Sequence, residues 1–279
     1  MKWSALHAGR RWLPGMVFLV GVVLAFCLGW QFPARMPRGC AAADLTAAPD
    51  TAVFSPAAPV HAGSGTVEPE AEKWVCLTFD DGPSKTTPDV LAALDAAGVH
   101  GTFFVVATDY NQRYLPLLTE AAASGHQIAL HSASHEYSDI YRSSAAYWAD
   151  ISLLKERIAP YLDAESIRYL RFPGGSTNTV SRRYGGKGLM TQLKTEAEQN
   201  GYLWVDWNVC AEDAVGGHPS ADTIYRNVVR ETGEQTRCVV LMHDSSTTHT
   251  TAEALPDIIR WYADNGYTFL TVEQALGTS

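Results

Sequence analysis

The chain has 279 residues, of which 46% are hydrophobic and 18% charged, enough apolar material for a sizeable core and too much for a disordered chain. It carries 21 Lys and Arg against 30 Asp and Glu, a formal net charge of −9. The first 43 residues hold five basic groups (Lys2, Arg10, Arg11, Arg35, Arg38) and no acidic one, so the remainder bears −14. A body that acidic argues against nucleic acid as a partner, because phosphate recognition needs clustered Lys and Arg.

From Trp12 to Trp30 runs an uncharged apolar stretch of 19 residues, the length that crosses a bilayer core. Lys2, Arg10 and Arg11 precede it, as for an inside-facing amino terminus. A cleaved signal peptide and an uncleaved signal anchor both fit. The Ala-x-Ala candidate at Ala41–Ala43 lies far beyond the apolar run, which favours the anchor, and Phe26 spoils Cys27 as a lipidation site. Residues 1–38 therefore read as an export segment. The body is expected outside the cell, tethered to the membrane, or secreted if the segment is cleaved. Residues 39–71, rich in Ala, Pro, Ser and Thr, read as a flexible linker. Residues 72–279 remain as one folded body. The five cysteines (Cys27, Cys40, Cys76, Cys210, Cys238) show no CxxC. Cys76 and Cys238, inside apolar runs, read as small buried side chains rather than a disulfide.

The body alternates strand and helix signals. A strand is expected at 74–79, then a helix at 86–98 with Thr87 as its cap, Pro88 in its first turn and Gly98 as its stop. A strand at 101–107, a helix at 115–125 and a strand at 126–131 follow. A longer helix spans 145–159 and stops at Pro160. Further strands are expected at 167–172, 201–209, 237–244 and 267–272, with helices at 189–200, 222–232 and 252–265. Repeated βα units imply a parallel sheet, and about seven of them suit a small barrel. Chemistry in such folds gathers at the carboxyl ends of the strands.

The unusual residues fall at those ends. TFDDGP (78–83) places Asp80 and Asp81 at a strand-to-loop bend, where one carboxylate can ligate a metal while its neighbour stays free as a base. HSASH (131–135) offers His131 and His135, four apart, so that both imidazoles can face one ion. Two histidines and a carboxylate, with water completing the shell, make a catalytic rather than a structural set. Zinc is the default ion for such N/O ligands, with cobalt or another divalent ion as alternatives. RFPGG (171–175) supplies Arg171, able to pair with a carboxylate bidentately, and a Gly-Gly pair that lets backbone approach a substrate. DWNVCAEDA (206–214) supplies Asp213. LMHD (241–244) ends an apolar run on His243, a candidate general acid.

These five segments, in this order over residues 72–276, resemble the five motifs of the polysaccharide deacetylases (the NodB homology domain, carbohydrate esterase family four). The resemblance implies a distorted (β/α) barrel with about seven parallel strands, and a metal-dependent hydrolase that removes N-acetyl groups from a polysaccharide. It implies Asp81, His131 and His135 as metal ligands, Asp80 as catalytic base and Arg171 as its orienting partner. It further implies His243 as general acid oriented by Asp213, Leu241 lining a pocket for the acetyl methyl group, and the backbone N–H near Gly174 supporting the oxyanion. The fourth motif departs from the pattern Asp-x-x-Asp-Trp: Cys210 stands at its first Asp and Ala214 at its Trp. The lost Trp removes part of the expected groove wall, and Trp204 and Trp207 are the aromatic residues near enough in sequence to replace it.

Export points to cell-envelope glycan, peptidoglycan first, with chitin oligomers and acetylxylan as alternatives. The altered fourth motif also admits a catalytically impaired glycan-binding descendant. A glycosidase using Asp80 and Asp81 fits poorly, because its two carboxyls must flank a bond about 5 Å or more apart.

Overall fold

The apolar run at 74–79 becomes β1 (Trp74–Asp80), all seven residues of which are buried in the computed structural model, which describes residues 73–216 and 218–277. The export segment and linker expected over residues 1–71 lie outside the described residues. Seven further strands follow: β2 (Thr102–Val106), β3 (Gln127–Ser132), β4 (Tyr169–Leu170), β5 (Leu203–Trp204), β6 (Val209–Cys210), β7 (Arg237–His243) and β8 (Thr268–Phe269). Every pairing is parallel, in the order β5-β4-β3-β2-β1-β7-β6, with β8 added beside the start of β1. The seven strands on that path form a curled half-barrel, as expected for the distorted (β/α) barrel.

The helices are α1 (Thr87–Ala97), α2 (Leu117–Ala123), α3 (Tyr137–Ile140), α4 (Ser144–Ile158), α5 (Val180–Gly185), α6 (Leu189–Gln199), α7 (Ala221–Thr232), α8 (His249–Asp264) and α9 (Val272–Leu276). Their ends follow local chemistry. Gly98 closes α1 at φ 65°, a left-handed conformation that a glycine adopts without Cβ strain. The Ser143 and Ser220 hydroxyls accept the third N–H of α4 and α7. Thr271 and Gln274 form a capping box on α9, a helix the sequence reading leaves out. Thr87 is not the cap of α1. Its hydroxyl lies inside the helix, where it accepts from the Ser84 N–H and donates to the Asp244 carboxylate.

Two apolar layers explain why the strands read as continuous hydrophobic runs. Val75, Leu77, Phe79, Phe103, Leu130, Val240 and Met242 belong to the layer shared with the helices. Trp74, Cys76, Phe104, Ala129, Tyr169 and Val239 pack together on the inside of the curl. Because side chains alternate along a strand, the inner column of β1 continues through Thr78 to Asp80, and that of β7 through Leu241 to His243. In β3 it reaches His131, and just past β4 it reaches Arg171. The inner column thus turns from apolar to polar at the carboxyl ends of four strands.

The expected strand at 201–209 is two strands on opposite edges of the sheet. β5 pairs with β4, β6 pairs with β7, and residues 205–208 run between the two edges. The apolar composition of GYLWVDWNV hides the break. Cys76 and Cys238 are free and fully buried, as expected, and burial pushes both thiols up, Cys238 to about 12. Cys210 is disulfide-bonded.

Candidate active site

The two adjacent acids at the end of β1 part company because Asp81 turns into the left-handed region, at φ 69°. That conformation is uncommon for a residue with a Cβ and clusters at functional sites. Asp80 keeps the strand direction and its Oδ1 accepts from Arg171 Nη1 at 2.7 Å. Asp81 swings to the histidines, its Oδ1 lying 3.2 Å from His135 Nε2 and 3.5 Å from His131 Nε2. His131 and His135 do not share a helical turn. β3 ends between them, and His135 is brought round by its own left-handed φ of 56°.

The Asp150 carboxylate on α4 holds that bend. It accepts from the Ser132 and Ser134 hydroxyls and from the Ala133 and Ser134 N–H groups, at 2.6–3.0 Å. The Ser132 hydroxyl in turn accepts the His135 N–H at 2.8 Å. His131 Nδ1 lies 2.7 Å from the Arg171 carbonyl, which fixes the tautomer with Nε2 bare and facing Asp81.

The donor set fits a divalent cation. One atom from each of Asp81, His131 and His135 lies within 4.8 Å of the others. Asp81 Oδ1 is buried without a hydrogen-bond partner. Burial pulls the His131 imidazole below its ordinary range despite Asp80 and Asp81, and so favours the neutral, ligating form. Burial alone would raise the Asp81 carboxyl; His135, His131 and His243 outweigh it and hold it low, ionised and ready to ligate.

Arg171 is fully buried, its guanidinium 4.0 Å from the centre of the Phe104 ring. The expected bidentate pairing with a carboxylate does not occur. One N–H goes to Asp80 and another to the Thr78 hydroxyl, while Nε donates to the Val205 carbonyl at 2.9 Å and Nη2 to the Asp206 carbonyl at 3.1 Å. The carbonyls come from the segment between β5 and β6, which competes with Asp80 for the planar fork.

Asp80 and His243 are register partners on β1 and β7, so both project from the same face of neighbouring strands. His243 Nδ1 meets Asp213 Oδ1 at 2.9 Å, and its main-chain N–H donates to Asp213 Oδ2 at 2.7 Å. The Thr251 hydroxyl on α8 also donates to Asp213 Oδ2. Burial would lower the imidazole, but Asp213 outweighs it, with help from Asp81 and Asp80, and pushes it up to about 10. Leu241 is buried one inner-face position before His243. Gly174 sits at φ 77°, and a Cβ there would stand 3.2 Å from the Tyr137 hydroxyl. All nine expected site residues thus gather at the carboxyl end of the half-barrel.

Five neighbours escape the motif reading. Asp150, Thr251 and Tyr137 lie on helices whose patterns carry no chemical signal. Asp206, which accepts from the Ser176 N–H and hydroxyl, is hidden in the apparent strand. Asp244 stands in full view beside His243. Its carboxyl is buried, with Oδ1 unpartnered, and burial pushes it up to about 7. Of the altered fourth motif, Cys210 is buried in β6 and Ala214 is exposed. Trp207 packs on Gly175 and lies 5.6 Å from Arg171, whereas Trp204 lies over Lys194 and beside Phe172.

A family model described as polysaccharide deacetylase matches residues 68–189. The catalytic domain of a peptidoglycan N-acetylglucosamine deacetylase from Eubacterium rectale superposes with a TM-score of 0.68 at 38% identity, over 77% of this chain and 94% of that one. A CE4 esterase from Streptococcus mutans gives a TM-score of 0.63 at 30% identity, over 72% and 87% of the two chains. A peptidoglycan-N-acetylglucosamine deacetylase from Bacillus cereus is 29% identical over 75% of this chain and 90% of its own length. With that likeness running across nearly the whole described body, the chain belongs to the polysaccharide deacetylase family, hydrolases of N-acetyl amide bonds.

Proposed function

We propose that the chain removes N-acetyl groups from the N-acetylglucosamine units of cell-wall peptidoglycan, consuming water and releasing acetate. The carrying observation is the Asp81–His131–His135 cluster with Asp80 and the Asp213-paired His243 side by side next to it. The named activities of the E. rectale and B. cereus relatives support the glycan, and export through the amino-terminal segment brings the body to it. Asp81, His131 and His135 would hold zinc, or cobalt or another divalent ion in its place. Such an ion supplies Lewis acidity and a lowered pKa for bound water.

The remaining work falls to the chain. Asp80, steered by Arg171, takes a proton as water attacks the acetyl carbon. The Gly174 N–H donates to the oxygen that becomes anionic, and Leu241 packs against the acetyl methyl. The C–N bond then breaks, and the bonding pair stays on nitrogen. An amine leaves poorly unless protonated, so His243, held by Asp213, delivers its proton there. The products are acetate and a glucosamine unit.

Room for neighbouring sugars lies beside the cluster. A cavity of about 250 Å³ is lined by Asp81 and His135 together with Tyr110 and Tyr114. Tyr110 is 94% exposed, on a loop latched by Asn111, whose amide donates to the Pro83 and Val106 carbonyls. An exposed ring on a latched loop suits stacking on a pyranose.

The full-length protein, loaded with metal, should release acetate from peptidoglycan with a matching mass loss in the glycan. Faster release from chitin oligomers or acetylxylan would replace the substrate. No acetate from any of the three would overturn the reading in favour of a glycan-binding protein. A glycosidase is disfavoured because Arg171 engages Asp80 while Asp81 turns to His131 and His135, two histidines to which a glycosidase would give no task.

A further inference from the structure

Between the histidine bend and the Gly-Gly turn stands a side chain to which the reaction above gives no role. Tyr137 opens α3, two residues after His135. Its ring meets the His135 imidazole edge-on, with centroids 5.4 Å apart and planes at 78°. On its other side it lies 5.9 Å from the Tyr141 ring. The two tyrosines use their hydroxyls differently. That of Tyr141 is tied to the Pro173 carbonyl at 2.8 Å. That of Tyr137 ends against Gly174, 3.2 Å from where a Cβ would stand.

Gly174 is the residue whose N–H is assigned to the developing oxyanion. Among the described residues that N–H makes no main-chain hydrogen bond, whereas the next one, Gly175, donates to the Phe172 carbonyl at 2.7 Å. A left-handed glycine with no side chain leaves the space beside its Cα open, and the Tyr137 hydroxyl comes up against that space. The Gly174 N–H and the Tyr137 hydroxyl are neighbouring donors, and such a pair can serve an oxyanion when both are held in place before the reaction. The Tyr137 ring is held, with His135 on one side and Tyr141 on the other.

We propose that Tyr137 is a further catalytic residue, its hydroxyl donating a second hydrogen bond, beside the Gly174 N–H, to the acetyl oxygen as it becomes anionic. No proton is transferred; the phenol stays a phenol through attack and collapse. The inference rests on the deacetylase reading above.

Tyr137→Phe tests it, because the variant keeps every ring contact and removes one oxygen. The expected result is a fall in kcat on the order of 10²–10³-fold. KM, zinc affinity by calorimetry and melting temperature should stay at wild-type values. A phosphonamidate analogue of the tetrahedral intermediate should lose affinity for the variant by the same factor as kcat/KM. An unchanged kcat overturns the inference. So does a kcat loss matched by lost zinc affinity or a lowered melting temperature, since Tyr137 would then act only by supporting His135. A wild type that releases no acetate overturns the deacetylase reading and this inference with it, whereas an active wild type with an equally active variant overturns this inference alone.

Discussion

Asp213→Asn isolates the charge that raises the His243 imidazole. Desolvation alone would leave the imidazole neutral at physiological pH; the Asp213 carboxylate, 2.9 Å from Nδ1, reverses that and pushes it up to about 10. Asparagine keeps the shape and an acceptor oxygen but removes the charge. The Asp213 charge then no longer opposes burial, and the ring falls back toward its ordinary 6.5. At pH 8 a pKa of about 10 leaves about 99% of the imidazole charged, and one of about 6.5 leaves about 3%, so the acid form falls roughly 30-fold. A bound cation lowers both values, so the clean comparison is an NMR titration of the His243 ring in metal-free protein. In the loaded enzyme the alkaline limb of kcat should move down in the same direction, with activity recovering toward pH 6. Stability must move in step. A raised pKa stabilises the fold fully below 6.5 and loses that contribution as pH climbs toward 10. The melting-temperature gap between the metal-free proteins should therefore be widest below pH 6.5 and close as pH rises. A wild-type His243 that titrates near 6.5 would refute the reasoning.

Three other substitutions probe the supports. Arg171→Met leaves Asp80 charged and buried without its partner, at a cost of about 3–5 kcal/mol, and should lower the melting temperature by about 6–20 °C; a drop under two degrees would mean that Asp80 is compensated elsewhere. Asp150→Ala strips four accepted hydrogen bonds from the bend carrying His135 and should weaken zinc binding about 10–100-fold by calorimetry, so wild-type affinity would deny it any hold on the ligand. In Gly82→Ala the new Cβ would fall on the buried Asp244 carboxyl, so the variant should melt well below wild type, and equal melting curves would show that this corner can rearrange.

How much of this is legible in the sequence depends on whether the signal is local. The inner column of β1 ends on Asp80, that of β3 on His131 and that of β7 on His243, and each is visible as an apolar run that stops at a polar residue. Period-two alternation and the turn residues after each strand carry that information, so both the strand ends and their chemistry can be read along the chain. The split of Asp80 from Asp81 and the approach of His131 to His135 depend instead on φ at single residues. A histidine pair spaced by four reads as a helical turn, yet here it spans the end of a strand and a left-handed bend. Asp150 is 18 residues from Ser132, and Thr251 is 38 from Asp213. Nothing in helix composition distinguishes an acid or a threonine that reaches back to a loop from one that faces solvent.

Arg171 marks where local reading stops. From sequence it is an arginine after a strand, best explained by one carboxylate. In the fold it is the point where the two edges of an open sheet meet. β5 and β6 lie at opposite ends of the strand order, and the chain crosses between them at 205–208. A half-barrel that does not close by strand pairing leaves main-chain carbonyls facing inward along that crossing, and buried acceptors need donors. The Arg171 fork supplies two of them, to Val205 and Asp206, while its third direction holds Thr78 and Asp80 on the central strand. Only a planar group with five donors can serve a crossing segment and the Asp80 carboxylate at once; a lysine at this place would have to choose. The residue that holds Asp80 therefore also stitches the open side of the barrel, which explains why it is fully buried and why two of its four side-chain hydrogen bonds go to backbone.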